Sequence, residues 1–300
     1  MIEAVKTHLD PPGVWFLDGR RMARWSPRSR ALLGRTRQRL ADHLGGHIPR
    51  VCTHLRGHGG VKGAIRTVSS LLGRANYVAR FDIASYYGSM SHDVLQSLLR
   101  QTGAGDRDCA VVSDYLRLPD TRRTGRGMIA SGGLSPLLGG LYLVPLDRAM
   151  VRLRERGQLV CYVRYMDDIV LLTRTRWQLR RAISSLHAVL RPLHLRLHKT
   201  KRYIGKTTVG FDFLGYRLHR GRKLRPSGES LHRLRTRASR LYERGADVHR
   251  LRLYVRRWRR WLHGGLRGCV SRQGGDERII RHILTLLRIT EPHRCCGSGG

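Results

Sequence analysis

Three hundred residues with 41% hydrophobic side chains suffice for a sizeable buried core and exclude an intrinsically disordered chain. Fifty-eight Lys and Arg against 21 Asp and Glu leave a formal charge of +37, which calls for a polyanionic partner; no lysine-rich amphipathic anchor points to membrane, so nucleic acid comes first. The cysteines (Cys52, Cys109, Cys161, Cys269, Cys295, Cys296) form no C-x-x-C pair, the start MIEAVKTHLDPP has no apolar signal block, and GGLSPLLGGLYLVPL is too short and Pro-broken to span a bilayer. These features exclude a zinc ribbon and a secreted disulfide framework, and predict a soluble cytoplasmic protein.

The first 60 residues are basic and glycine-dotted, with one helical pattern at Pro27–Leu44. No β-hairpin is legible before it, and Arg20, Arg21 and Arg24 are too generic to assign. A glycine turn, GHGG (57–60), could meet phosphate with its N–H groups beside His54 and Arg56, although a plain loop is the commoner role. A helical pattern follows from Val61 to Ser70. Residues 77–83, YVARFDI, alternate as a strand. Ser91 can cap a helix over 91–101, and Cys109–Leu118 reads as another before the loop TRRTGRG.

The segment Gly132–Met150 predicts one helix with Pro136 in its first turn. VCYVRY and IVLLT predict two short strands with Asp167 and Asp168 at their junction. Trp177–Leu190 is helical, LHLRLH (193–198) alternates as a strand, and FDFLGYRL (211–218) reads as another. From Arg217 to Arg267 there are 17 basic residues and three acidic ones, in two helical patterns near 229–245 and 247–263. That composition marks a separate basic helical subdomain with a boundary near 220–227.

Two adjacent carboxylates inside LVCYVRYMDDIVLLT pose a physical problem, because burying either one unpaired costs several kcal/mol. A nearby arginine or a bound cation must compensate them. Asp82 repeats the pattern between Phe81 and Ile83. Side chains alternate along a strand, so Asp167 and Asp168 can share a face only if a tight turn reorients one. Carboxylate oxygens suit magnesium or manganese better than zinc.

Taken in order, FDIASYY (81–87), GGLSPLL (132–138), YMDD (165–168), LHKTK (197–201) and FDFLGY (211–216) resemble the palm motifs of bacterial retroelement reverse transcriptases. The group II intron-like and diversity-generating types are nearest, over about residues 50–265. The resemblance implies an α+β right-hand polymerase palm, an antiparallel sheet packed on helices, with reduced fingers and a C-terminal helical thumb. Its parts would be residues 1–75 (fingers and N-terminal region), 76–220 (palm), 221–268 (basic thumb) and 269–300 (C-terminal helix and tail).

The implied activity is RNA-directed DNA synthesis, adding deoxynucleotides to a primer 3′-hydroxyl by two-metal phosphoryl transfer with Mg2+, or Mn2+ as a substitute. The implied partners are an RNA template, a DNA or RNA primer, deoxynucleoside triphosphates and a cognate structured RNA or accessory protein, with no membrane. By similarity Asp82 and Asp167 are the principal metal ligands, Asp168 assists or braces the turn, and Ile83 belongs to the metal site. Lys199 matches the lysine that protonates the departing pyrophosphate. Tyr87 matches the steric gate against a 2′-hydroxyl, with Ser131, Gly132 and Gly133 beside the nucleotide, while Tyr86 reads as packing. Tyr165, Met166, Phe213, Leu214, Gly215, Arg256, Arg257, Arg259 and Arg260 would contact primer and template. For Trp258 and Trp261, at i and i+3, core packing is the better expectation.

Two departures stand out. Ala130 or Ser131 occupies the place of a family glutamine, which implies relaxed nucleotide selection. Only 81 residues precede Asp82, which implies short fingers, an incomplete start or a partner that completes them. The rival readings are a catalytically weak palm-fold nucleic-acid-binding protein and an RNA-templated or untemplated nucleotidyl transferase; the intact aspartates oppose the first and the bulk of Tyr87 opposes RNA synthesis. Retrotransposition, diversification, phage defence and spacer acquisition are not separated by these motifs.

Overall fold

The structure, a computed structural model, describes residues 9–10, 12–17, 20–117, 125–130, 132–266, 268–271 and 276–286, with the backbone alone for 14–17, 20–22, 276–278 and 286. The chain divides into two compact units, Met1–Thr207 and Thr208–Gly300. Among the described residues no helix is long and apolar enough to cross a membrane.

The first unit opens with a hairpin that the sequence reading missed. Strands β1 (Gly13–Leu17) and β2 (Arg20–Arg24) pair antiparallel, with Leu17 opposite Arg20. Asp18-Gly19 between them is a strong short hairpin signal, but the arginine-rich second strand lacks apolar alternation and hid it. Ser26 then caps α1 (Pro27–Leu44), accepting from the Ser29 N–H, with Pro27 in the first turn. Helix α2 (Gly60–Leu71) follows the glycine turn.

The centre is a four-stranded antiparallel sheet of β3 (Tyr77–Ile83), β4 (Cys161–Tyr165), β5 (Asp168–Thr173) and β6 (Leu197–Lys206), in the order β4-β5-β3-β6. Period-2 alternation sends Ala79, Phe81 and Ile83 of β3, with Ile169 and Leu171 of β5, into the main core. Around that core lie α3 (Tyr86–Ser89), α4 (His92–Gln101), α5 (Asp106–Arg117), α6 (Ser135–Tyr142), α7 (Val144–Glu155) and α8 (Arg176–Leu190).

Two elements differ from expectation here. The single helix over 132–150 is two helices broken at Leu143, because Pro145 has no N–H to continue α6 and instead starts α7. LHLRLH is a helix stop rather than a strand. His194 takes φ 55° and donates its N–H to Arg191 C=O at 3.0 Å, while the Leu195 N–H reaches Leu190 C=O at 3.1 Å, the paired bonds of a Schellman turn. Leu193 and Leu195 are buried by that turn, and the strand begins only at Leu197.

In the second unit FDFLGYRL is a hairpin rather than one strand: β7 (Phe211–Phe213) and β8 (Tyr216–Leu218), with Leu214 at φ 47° and Gly215 at φ 86°. Positive φ at both central residues is the type I′ signature, and glycine supplies the second without steric cost. Strand β9 (Arg225–Pro226) pairs with β8. Helices α9 (Gly228–Glu243) and α10 (Val248–His263) are capped by Ser227 and Asp247. With α11 (Asp276–Leu286) they enclose a small core of Leu234, Leu251, Val255, Ile280 and Ile283. Trp258 packs on that core, whereas Trp261, 44% exposed, stands 5.8 Å from the Tyr216 ring.

The most deeply buried charges join α7 to β4. Arg164 and Asp147 both have 0% side-chain exposure; Arg164 Nη2 and Nε reach the carboxylate at 2.5 and 2.8 Å. Tyr162 Oη donates to the same Asp147 at 2.6 Å, and Arg164 Nη2 also donates to Gly140 C=O at 3.2 Å. Removing one partner strands the other charge in the core, so Asp147→Ala is expected to cost about 3–5 kcal/mol in urea unfolding. The paired replacement Asp147→Leu/Arg164→Met should recover most of that loss.

Candidate active site

The pairing Phe81↔Ile169 carries Asp82, one residue further along β3, to the level of Asp168 at the start of β5. Between β4 and β5 the two-residue turn Met166-Asp167 is closed by the pair Tyr165↔Asp168. Met166 sits at φ 56°, a left-handed conformation costing a non-glycine residue about 1–3 kcal/mol. The turn is held from both sides. The Met166 N–H donates to His54 Nδ1 at 3.3 Å, and its C=O accepts from Arg164 Nη1 at 3.1 Å.

His54 is fixed in turn by Nε2–H donating to the Pro136 C=O at 2.8 Å. Burial lowers its pKa to about 4, so the ring stays neutral with Nδ1 free to accept. The segment before it lies along β4: the Thr53 N–H and Oγ1 both donate to Arg164 C=O, at 2.8 and 2.9 Å, and the Arg164 N–H donates to Val51 C=O at 2.9 Å.

Electrostatics divides the three carboxylates. Asp168 Oδ1 is held by Arg80, at 2.8 Å from Nη2 and 3.2 Å from Nε. Asp82 and Asp167 have no ion-pair partner among the described residues. Burial first, with repulsion from Asp82 and Asp168, raises the Asp167 carboxyl to about 6, while a bond to its own backbone N–H and then Lys201 pull it back. Asp82 is also raised, by burial and by Asp168, and is pulled back by Lys201, His198 and Arg80. Two close carboxylates without an ion-pair contact are a donor set that a hard divalent ion would relieve. Ile83, buried on the same strand, can add only its main-chain oxygen. Among the described residues no three acidic, imidazole or thiol side chains already form a metal cage, so any cage must be completed by main chain, water or substrate.

Tyr87 stands at the edge of this cluster. Its ring lies 5.1 Å from Tyr86, and burial and then Asp167 raise its phenol pKa. Its hydroxyl is buried and finds no hydrogen-bond partner among the described residues. Tyr86, by contrast, donates to Gly139 C=O at 2.5 Å and packs in the core. The Met128 N–H donates to Tyr87 C=O at 3.0 Å, tying the 125–128 segment to this helix.

The other sequence candidates fall into three places. Gly132 is buried, and a Cβ there would meet Tyr115 Oη at 1.6 Å; Gly133 is exposed, and Ser131 lies outside the described residues. Tyr165 faces the His54 ring edge-on at 6.0 Å. Phe213, Leu214 and Gly215 form the second unit's hairpin turn, and Arg256, Arg257 and Arg260 are exposed on α10 with Arg259 half-buried. Within the glycine turn, the Gly60 N–H donates to Thr53 C=O and the Gly63 N–H to Gly59 C=O, so the turn closes on itself.

Lys199 and Lys201 part company. In β6, Leu197 pairs with Ile83 and Arg202 with Phe81, so residues 198–201 bulge opposite Asp82 alone. His198 Nδ1 accepts the N–H groups of Thr200 and Lys201 at 3.3 Å and shapes the bulge. Lys201 acts on both Asp82 and Asp167, whereas Lys199 lines a neighbouring cavity. Lys201, Arg80 and the Arg164–Asp147 pair were not singled out in the sequence, and His54, read there as a phosphate contact, instead braces the aspartate turn. Arg80 and Arg164 each lie within four residues of an aspartate motif, a usable signal; nothing local marks that role of His54 or the part of Asp147.

An antiparallel sheet that presents strand-borne and turn-borne aspartates above packed helices defines a right-hand polymerase fold. Two solved structures share it: apo telomerase from Candida tropicalis, with a TM-score of 0.60 over 93% of this chain and 63% of that chain at 10% identity, and the same telomerase truncated from its C-terminal domain, at 0.52 over 65% and 45% with 12% identity. The chain belongs to the reverse transcriptase (RNA-dependent DNA polymerase) family, whose model matches residues 18–218. Protein YkfC of Escherichia coli (strain K12) is 27% identical over 199 aligned positions, covering 53% of this chain and 52% of that protein. The chain thus spans about half the length of that curated relative. The family generally uses divalent metal ions.

A folded-state carboxyl pKa above the ordinary 3.8 means that Asp167 costs stability progressively as pH rises from about 4 through 6. Asp167→Asn removes that cost. Thermal unfolding without metal at pH 7.5 should show the variant more stable by about 1–2 kcal/mol, the advantage vanishing near pH 4.

Proposed function

We propose that the chain is an RNA-directed DNA polymerase that extends a primer 3′-hydroxyl with deoxynucleotides on an RNA template, in a bacterial retroelement or a system derived from one. The observation that carries this reading is the convergence of Asp82 and Asp167, neither in an ion pair among the described residues, on a braced two-residue turn. Mg2+, or Mn2+ in its place, bound by these two carboxylates and the Ile83 main chain would activate the 3′-hydroxyl and neutralise charge on the leaving pyrophosphate. Asp168 keeps its pairing with Arg80 and fixes the height of the turn.

The remaining roles follow from placement. The Tyr87 ring, packed on Tyr86, closes the space under the sugar. Lys201, the cation acting on the carboxylates, is better sited than Lys199 to meet the departing phosphate. Ala130 or Ser131 stands where most related enzymes carry a glutamine, and without that amide nucleotide selection is relaxed. Residues 1–75 serve as fingers region, 76–220 as palm and 221–268 as thumb, the last gripping template and primer phosphates through Arg256, Arg257, Arg259 and Arg260, with 269–300 closing the chain.

Primer extension on an RNA template with magnesium and deoxynucleotides tests the reading. Wild type should extend, and Asp167→Ala/Asp168→Ala should not. Tight binding of template–primer without extension by either protein would overturn it in favour of a binding role. In the same assay Lys201→Ala should lower the rate about 100-fold or more and Lys199→Ala far less, the scale of a lost proton donor. Tyr87→Ala should admit ribonucleotides that wild type rejects.

A further inference from the structure

Beside the carboxylates, and wholly within the first unit, lies an open cavity of about 1100 Å3. Its wall runs from the end of α8 through the Schellman turn to β6, with the 84–89 turn and Arg126 opposite. It is lined by Arg191, Arg196, Lys199 and Arg202, with His187 and His194 between them, and by no carboxylate. None of those four cations has an ion-pair partner among the described residues, although others, such as Arg39 and Arg80, are paired. The turn that ends α8 sets this arrangement: His194 in the left-handed region buries Leu193 and Leu195 and leaves Arg191, His194 and Arg196 exposed. The bulge then sends Lys199 into the cavity and Lys201 toward the aspartates.

Four uncompensated cations converging on one concavity make an anion site. The volume exceeds the roughly 300–1,000 Å3 of small-ligand pockets, which favours an extended polyanion over a single free phosphate. Its lining has no Trp or Tyr among the described residues and its Phe81 is buried in the core, so the four cations rather than a large aromatic platform dominate what it offers a strand. We propose that this cavity holds a single-stranded stretch of nucleic acid by its phosphates, without reading its sequence, at a site separate from the aspartates. The proposal rests on the polymerase reading for its biological sense. Its phosphate contacts do not need catalysis and can be measured without it.

Binding of a fluorescein-labelled short oligouridylate is measured by anisotropy across a salt series, with neither metal nor nucleotide present. Arg191→Gln/Arg202→Gln is compared with Arg148→Gln/Arg152→Gln, an equal charge loss on the exposed face of α7. The cavity double should bind at least tenfold more weakly, with a log K against log salt slope shallower by about 1.4, at about 0.7 per single-strand phosphate. The α7 double should stay within about twofold on the same salt series. Equal weakening of both doubles would overturn the proposal in favour of the diffuse field of the chain. Displacement of the oligonucleotide by stoichiometric pyrophosphate would also overturn it and assign the cavity to a small anion. A primer-extension failure by wild type, with this binding difference intact, would count against the polymerase reading alone.

Discussion

The buried pairing of Arg164 with Asp147 is the constraint on which the active-site geometry hangs. A desolvated ion pair is weak evidence for stability, since burial costs each charge what the partner returns. Its value here is positional. Burial opposes the Arg164 charge, and the adjacent carboxylate outweighs it and holds the guanidinium protonated. One guanidinium then fixes α7 through Asp147, α6 through Gly140 C=O and the aspartate turn through Met166 C=O. A planar fork can serve three directions at once, which a lysine could not.

The same chain that carries 58 basic residues gives two carboxylates no arginine ion pair among the described residues. Arg80 neutralises Asp168, and among the described residues the cation acting on both Asp82 and Asp167 is the exposed Lys201. The result is a local excess of negative charge inside a strongly positive molecule. Its cost is built into the fold and can be discharged only by something that arrives from outside, which is the electrostatic definition of a cation site. The surrounding positive field works in the same direction for nucleic acid, by drawing the polyanion to the surface that contains this negative spot.

Legibility followed the range of the interactions. The helices at 27–44 and 176–190 and the strands flanking Asp167 were readable because their periodicity and capping residues are local. The aspartate turn was readable for a stronger reason: two adjacent carboxylates in an apolar run have few physical solutions. LHLRLH misled because alternation is ambiguous when a left-handed histidine can bury the same leucines at a helix end. The hairpin at 13–24 was hidden by arginines on its second strand, although Asp18-Gly19 marked it. The bracing role of His54, read from the sequence only as a phosphate contact, and the part of Asp147 could not be found, since both come from partners 112 and 17 residues away.

Those distant partners also explain how the site holds together as one device. His54 connects the Met166 N–H to the carbonyl of Pro136, inside the segment that resembles the nucleotide-binding motif. Gly139, three residues on, lies so close to Tyr86 and Tyr87 that a Cβ would stand 3.3 Å from both rings. The carboxylate turn, the segment beside the nucleotide and the gate tyrosine therefore cannot shift independently. Two non-glycine residues with positive φ, Ser85 and Met166, sit on the strand end and the turn that carry the aspartates. Strain at both points persists only because the surrounding contacts over-determine it. A site so braced exchanges mobility for preorganised charge, and that is what a phosphoryl-transfer centre requires when position and electrostatics do nearly all of the catalysis.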